Sequence, residues 1–184
     1  MQKRAAAILN RLSFKNPNST VIIASMKLRI ISVGHKMPSW VETACSEYTK
    51  RMPREATVEI VEIKPEKRAA GNSTDNIQLI EAKRILEAVG RDYLIALDER
   101  GNEVTTLQLA ERFSTWLAGS TTNGRDIALV IGGADGLHSS IKQKADWLWG
   151  LSKLTLPHAM VRIILAEQLY RAYSVTQNHP YHRE

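Results

Sequence analysis

Residues 127–131, Ile-Ala-Leu-Val-Ile, form an unbroken apolar run that passes directly into Gly132-Gly133-Ala134-Asp135-Gly136. A strand with no polar side chain on either face has to be covered on both. The run is short, rich in β-branched residues and closed by glycine, which is the pattern of a buried strand rather than a helix. "KLRIISV" at 27–33, stopping at Gly34, and "YLIAL" at 93–97, turning at "DERGN", share much of this character. Segments with helical spacing lie between and after them. The arrangement that satisfies this alternation is an α/β fold, a largely parallel sheet with helices on both faces.

The remaining segments fill in that plan. "TVEIVEI" at 57–63 alternates and reads as a strand. Ser39 stands where it can cap a helix running to about Arg51, stopped by Pro53, with Trp40, Cys45 and Tyr48 on its apolar stripe. "KPEKRAAGNSTDN" (64–76) is polar and rich in Gly, Ser and Asn, hence a loop. Apolar residues at 77, 80, 85 and 89 make a helix ended by Gly90. Residues 106–119 read as a helix, 139–149 as helical, 151–157 as holding a short strand, and 159–176 as a long helix. No repeat or linker divides residues 26–184, which are expected to form one domain.

Composition narrows the function. With 184 residues, 43% of them hydrophobic, the chain can build one core. The net charge is +6, and Lys3, Arg4, Arg11 and Lys15 supply four of these charges within an acid-free stretch at 1–25. The body is therefore mildly basic, which permits a polyanionic partner without demanding one. Residues 1–25 read as a transit peptide or, more simply, as sequence upstream of a start at Met26. The single cysteine, Cys45, excludes a disulfide framework or a cysteine-rich zinc site within the chain and fits a reduced compartment. Set in a helical pattern, it reads as a packing residue rather than a nucleophile. No apolar run approaches the roughly 20 residues of a membrane-spanning helix.

In open α/β sheets, ligands bind beyond the carboxyl ends of the strands. Three such ends are unusual here: "ALDERG" (96–101), "VIGGADG" (130–136) and "LSKLTLPH" (151–158). Gly132, Gly133 and Gly136 allow positive φ or close main-chain approach. They match neither the G-x-G-x-x-G nor the G-x-x-x-x-G-K-[ST] fingerprint, so a simple turn, with Asp135 as an Asx-turn residue, competes with a binding loop. "LSKLTLPH" is either a buried strand or an apolar loop whose backbone suits a flat ligand such as an adenine ring. "AMVRIILAEQLYRAYSVTQ" is apolar on most of its surface, so it needs the core or a second chain to cover it. Within it, Glu167 and Arg171 are spaced to pair. His179 and His182 stand i,i+3 with no evident third metal ligand. The chain ends "SVTQNHPYHRE", a tail that is either solvated filler or functional.

"VIGGADGL", "LSKLTLPHAMVRIILAEQLYRAYSVTQNHPYHRE" and the opening "MKLRIISVGHKMPSWVETACSEYTKR" together resemble the RlmH family of SPOUT-class RNA methyltransferases. The likeness covers Met26 to Glu184 and is most specific over roughly the last 55 residues; "AGSTTNGRD" (118–126) is a few residues longer than the family pattern. The resemblance implies a SPOUT-type fold with a C-terminal trefoil knot, a cytoplasmic homodimer and S-adenosyl-L-methionine as cofactor. The implied reaction is N3-methylation of a pseudouridine in large-subunit ribosomal RNA on the ribosome, with neither metal nor membrane involved. Leu97, Gly132, Gly133, Leu151, Ser152, Lys153, Leu154, Thr155 and Leu156 match its cofactor-binding segments. His182, Tyr181, Arg183 and Arg171 are the candidates for handling the N3 proton and the RNA, from a tail expected to fold back beside the cofactor. A SPOUT enzyme with another RNA target and a non-catalytic ribosome-binding module are the alternatives.

Overall fold

The apolar run at 127–131 is the middle strand of a five-stranded, wholly parallel sheet in the computed structural model, which describes residues 25–183 apart from His35, Ala70 and the side chains of His182 and Arg183. The expected extension at 1–25 lies outside the described residues, Ser25 excepted. Strands β1 (Met26–Val33), β2 (Ala56–Ile63), β3 (Tyr93–Asn102), β4 (Ile127–Ile131) and β5 (Trp147–Trp149) lie in the order β2-β1-β4-β3-β5. The helices are α1 (Ser39–Thr49), α2 (Thr74–Val89), α3 (Thr106–Leu117), α4 (Ser139–Lys144) and α5 (His158–Thr176), and a 3₁₀ turn at Pro180–Arg183 follows.

Side-chain alternation divides the core into two layers. Ile127, Leu129 and Ile131 join Leu28, Ile30 and Ile95 beneath α1, α3 and α5. Ala128 and Val130 join Ile31, Val33 and Ala96 beneath α2 and α4. Each such Leu, Ile or Val contributes about 1.5–3 kcal/mol when fully buried, so both helical layers are needed to hold the central strands. Polar ties fix the register at the sheet's amino end. The Lys27 N–H donates to Asp126 Oδ1 at 2.8 Å, and Arg29 donates to Asp92 at 2.8 Å and to the Ala88 carbonyl at 2.6 Å.

Several elements differ from the sequence expectation. Residues 139–149 are not one helix: α4 ends at Lys144 and Trp147–Trp149 form the edge strand β5, whose two indoles stack 5.0 Å apart. Residues 151–157 hold no strand. β3 does not stop at Leu97 but continues through an irregularity to Asn102, where it still pairs with Trp149. α2 begins inside the expected loop, because the Ser73 side chain accepts from the Asn76 N–H. α1 has Pro38 at its N-cap and no side-chain cap, so Ser39 is its first residue rather than its cap, and it ends at Thr49. α3 stops at Leu117, two residues before Gly119.

Candidate functional site

The three unusual strand ends meet. Beyond the carboxyl ends of β3, β4 and β5 they enclose a cleft of about 540 Å³. Leu97, Gly132, Gly133, Leu151, Ser152, Leu154, Thr155 and Leu156 all line it. Lys153 does not, since its ammonium lies 3.7 Å from the Glu103 carboxylate on an exposed edge.

Each wall has its own structural cause. After β4 the chain doubles back on itself: the Gly136 N–H donates to the Gly133 carbonyl at 3.0 Å, and Gly136 takes φ +80°. A Cβ on Gly132 would stand 2.6 Å from the Gly136 carbonyl carbon and 2.8 Å from the Leu137 nitrogen. Gly132 is thus required by its own turn rather than by an unusual φ, and Gly136 alone of the three glycines needs the left-handed region. Asp135 makes no Asx turn. Its carboxylate accepts from Arg68 at 2.8 Å and its carbonyl from the Gln78 amide at 2.6 Å, which ties the 64–73 segment and α2 to the cleft rim.

The opposite wall, 151–156, is apolar in sequence but is not core; Leu154 is 73% exposed. Among the described residues only one backbone N–H of this stretch is bonded, that of Leu154, to Ser152 Oγ at 3.0 Å. Main-chain groups need partners, so this wall offers leucine surface with free donors and acceptors. That combination fits the adenosyl group of S-adenosylmethionine, a flat ring with polar edges. The wall starts where two main chains touch, because a Cβ on Gly150 would lie 2.8 Å from the Gly101 oxygen.

Sequence reasoning missed three residues at the cleft. Asp98 and Lys142 pair at 2.6 Å across it. Burial raises the Asp98 carboxyl, but the Lys142 hydrogen bond and the Arg100 N–H together hold it below the ordinary aspartate value. His158, the first residue of α5, lines the floor. Burial, reinforced by the Arg162 guanidinium, pushes its imidazole down. The only available signal for Asp98 and His158 was position, since each lies within an unusual strand end, Asp98 in 96–101 and His158 in 151–158. Nothing in the sequence pairs Lys142 with Asp98, 44 residues away.

Two of the expected catalytic residues, Tyr181 and Arg171, sit away from the cleft of their own chain. Tyr181 packs edge-on against Tyr170 with 4.8 Å between ring centroids, and the Arg171 guanidinium lies over the Tyr181 ring, 4.8 Å from its centroid. Glu167 Oε1 accepts from both Tyr181 Oη (3.1 Å) and Arg171 Nε (2.7 Å). At 1.5 Å per residue, Glu167 and Arg171 are about 14–20 Å along α5 from His158. Within one chain, then, the tail folds back on the far half of α5 and not beside the cleft. The side chains of His182 and Arg183 are outside the described residues. Among the described residues no cluster of three or more metal-ligating side chains occurs, and no helix is long and apolar enough to cross a membrane.

The comparisons agree with this geometry. Residues 26–182 match the family described as "Predicted SPOUT methyltransferase". A protein of Methylobacillus flagellatus named ribosomal RNA large subunit methyltransferase H is 70% identical over 159 residues, 86% of this chain and 100% of that one. Its namesake in Paraburkholderia phymatum is 54% identical over 86% of this chain and 99% of its own. Among solved structures, a probable methylase family protein from Haemophilus influenzae Rd KW20 superposes with a TM-score of 0.53 at 16% identity, covering 86% of this chain and 70% of that one. A probable methyltransferase from Bordetella pertussis Tohama I gives 0.50 at 16% identity, over 80% and 96%. The structures share the fold, the relatives align over nearly the whole described sequence, and the chain belongs to the SPOUT methyltransferase family.

Proposed function

We propose that the protein transfers a methyl group from S-adenosylmethionine to N3 of a pseudouridine in large-subunit ribosomal RNA, acting on the ribosome as a cytoplasmic homodimer. One observation carries the reading: a leucine-walled cleft with unbonded main chain at the strand ends, in a chain that matches a ribosomal RNA methyltransferase along that relative's whole length.

Leu97, Gly132, Gly133 and the 151–156 segment hold the cofactor, Lys153 contributing main chain only. The bound cofactor supplies a methyl group already activated by its sulfonium. The chain must then place N3 of the base before that methyl and remove its proton. Tyr181 is a donor and not the base. Burial, with the Tyr48 hydroxyl and the Glu167 carboxylate beside it, pushes its phenol well above the usual tyrosine range. Arg171 is held by Glu167 and orients Tyr181. His182 and Arg183 are left to accept the N3 proton and to meet the developing anion or a phosphate.

The separation of tail and cleft within one chain supports the homodimer, in which a second copy brings its C-terminal turn to this cleft. The partly exposed apolar side of α5, with Met160 38% exposed, is the surface proposed for that contact. The trefoil knot of the family is proposed for the C-terminal part. Residues 1–25 lie outside the family match, and the same activity is proposed for a chain beginning at Met26.

The test is to incubate the protein with methyl-labelled cofactor and ribosomes, then to locate the label. Label on N3 of one pseudouridine of the large-subunit RNA is expected. Label on another nucleotide means a different RNA target, and binding to ribosomes without transfer means a non-catalytic module.

A further inference from the structure

The cleft takes up the carboxyl ends of β3, β4 and β5, and the ends of β1 and β2 lie beside it on the same edge of the sheet. The Gly34 N–H donates to the Ile63 carbonyl at 2.9 Å, so the loops that follow β1 and β2 start side by side. They adjoin the cleft: a Cβ on Gly34 would stand 3.7 Å from Nε2 of His158, which lines it.

These loops engage their carboxylates and leave their lysines free. Glu62 accepts from the buried Arg162 at 2.7 Å, and Glu66 pairs with Arg84. Arg68 is taken by Asp135. Lys36, Lys64 and Lys67 are exposed, and among the described residues no carboxylate pairs with any of them. Glu42, in the first turn of α1, offsets only one of the three charges. The main chain beneath them is fixed. Arg84 donates to the Lys64 carbonyl at 2.9 Å, and the Glu66 N–H donates to Glu81 at 2.9 Å. Lys36 takes φ +56°, a conformation that a residue with a Cβ keeps only where its surroundings impose it.

An aromatic ring stands with these cations. Trp40, expected on the apolar stripe of α1, is 54% exposed, whereas the other three tryptophans are buried. It follows Lys36 by four residues. An exposed indole beside unpaired lysines suits a strand of RNA, whose bases stack on aromatic faces and whose phosphates seek cations. The other flank of the cleft lacks this character, because Asp98 pairs there with Lys142 and Glu103 with Lys153.

We infer that Lys36, Lys64, Lys67 and Trp40 form the track by which the RNA crosses the ends of β1 and β2 to reach the cleft, the lysines holding phosphates and the indole stacking on a base other than the target. The inference rests on the RNA reading above. The phosphate contacts set the position of the strand and the cleft selects the nucleotide.

Co-sedimentation with ribosomes at several salt concentrations tests it, alongside turnover at saturating ribosomes and calorimetry with S-adenosylhomocysteine. The triple variant Lys36→Gln, Lys64→Gln, Lys67→Gln is expected to weaken ribosome binding tenfold or more. It should also lower the slope of log affinity against log salt by about 2–3, at roughly 0.7–0.9 per phosphate contact. Trp40→Ala should weaken binding roughly fivefold or more, the lower end of base stacking, with the salt slope unchanged. In both, saturated turnover should stay within about threefold of wild type and S-adenosylhomocysteine affinity should hold, since none of the four side chains lines the cleft. Lys83→Gln with Arg91→Gln, on and just after α2, is the control for bulk charge and should bind as wild type does. An unchanged salt slope in the triple variant, or an equal loss per charge in the control, overturns the track. A Trp40→Ala protein that sediments as a monomer where the wild type is a dimer assigns the indole to a contact between copies and overturns its stacking role. Failure of the wild type to bind or methylate ribosomes would overturn the RNA reading and this inference with it. Normal wild-type activity with unaltered variants overturns this inference alone.

Discussion

Tyr181 and Glu167 are joined by a 3.1 Å hydrogen bond that holds the C-terminal turn on α5, with the phenol donating. The phenol is protected from ionisation chiefly by burial and then by Tyr48 and Glu167. A group whose folded-state pKa is raised stabilises the fold fully below its unfolded value, near 10 for tyrosine, and that stability is lost as pH rises through the folded value. The tail is therefore expected to stay docked through pH 10. The absorbance titration of the wild type minus that of Tyr181→Phe should show no tyrosinate signal from this residue near pH 10. A signal there would mean that the phenol is not held as described.

Truncation after Asn178 should leave a folded chain. It removes the ring packed on Tyr170 and two hydrogen bonds to α5, from the Tyr181 phenol to Glu167 and from the His179 N–H to the Ser174 carbonyl, each about 0.5–1.5 kcal/mol and together a modest part of total stability. Cofactor affinity should be little changed, because among the described residues no tail side chain of the same chain lines the cleft. Methylation of ribosomes should fall about a hundredfold or more, the scale of lost general acid–base and electrostatic assistance. Binding and turnover measured side by side decide the matter; full turnover without the tail would return it to filler.

Gly132 and Gly136 should fail for different reasons. Gly136→Ala has open space but must keep φ +80°, so it should cost about 1–2 kcal/mol and still bind cofactor. Gly132→Val drives a side chain into the Gly136–Leu137 backbone and should abolish cofactor binding while the sheet survives. Thermal melts and calorimetry on both variants check this. Normal binding by Gly132→Val would contradict the loop geometry.

Cys45 is 1% exposed, and burial pushes its thiol up, against a smaller opposing effect of Arg162. Its thiolate is disfavoured, so thiol reagents should react with the folded protein far more slowly than with the unfolded one. Cys45→Ser should lower stability by about 1–3 kcal/mol by burying a hydroxyl among apolar neighbours. Turnover at a temperature where the variant is folded should change less than about tenfold; a hundredfold fall would place the thiol in the chemistry.

The residues themselves explain what was legible in the sequence. β4 was plain because Ile127–Ile131 lack a polar residue on either face, which only a doubly covered strand tolerates. β5 was not, because three residues carry no usable period and Trp147 and Trp149 fit a helix pattern as well. The stretch from Leu151 to Leu156 resembled a strand since its leucines look like core, whereas they wall the cleft. The resemblance brought the cofactor segments together, but it set the tail beside them. The contact of Tyr181 with Tyr170 and Glu167 reverses that within one chain, and no one-dimensional pattern carries such information. His158 and Lys142 were silent because a half-buried histidine and a helix lysine become meaningful only through what faces them.

The strand order also sets a timetable for synthesis. β1 pairs with β4 although Leu28 and its partner Ile127 are 99 positions apart (127 − 28), and β3, made earlier than β4, lies on β4's far side. At roughly 5–20 residues per second, the 64 residues from Ile63 to Ile127 (127 − 63) leave β1 with only β2 for a neighbour for roughly 3–13 seconds. In that interval the flank of β1 that β4 will cover is open to any passing strand. The nascent chain is then most exposed to aggregation and to chaperone capture, and the risk ends when the ribosome delivers the very residues that lead into the glycine turn of the cleft.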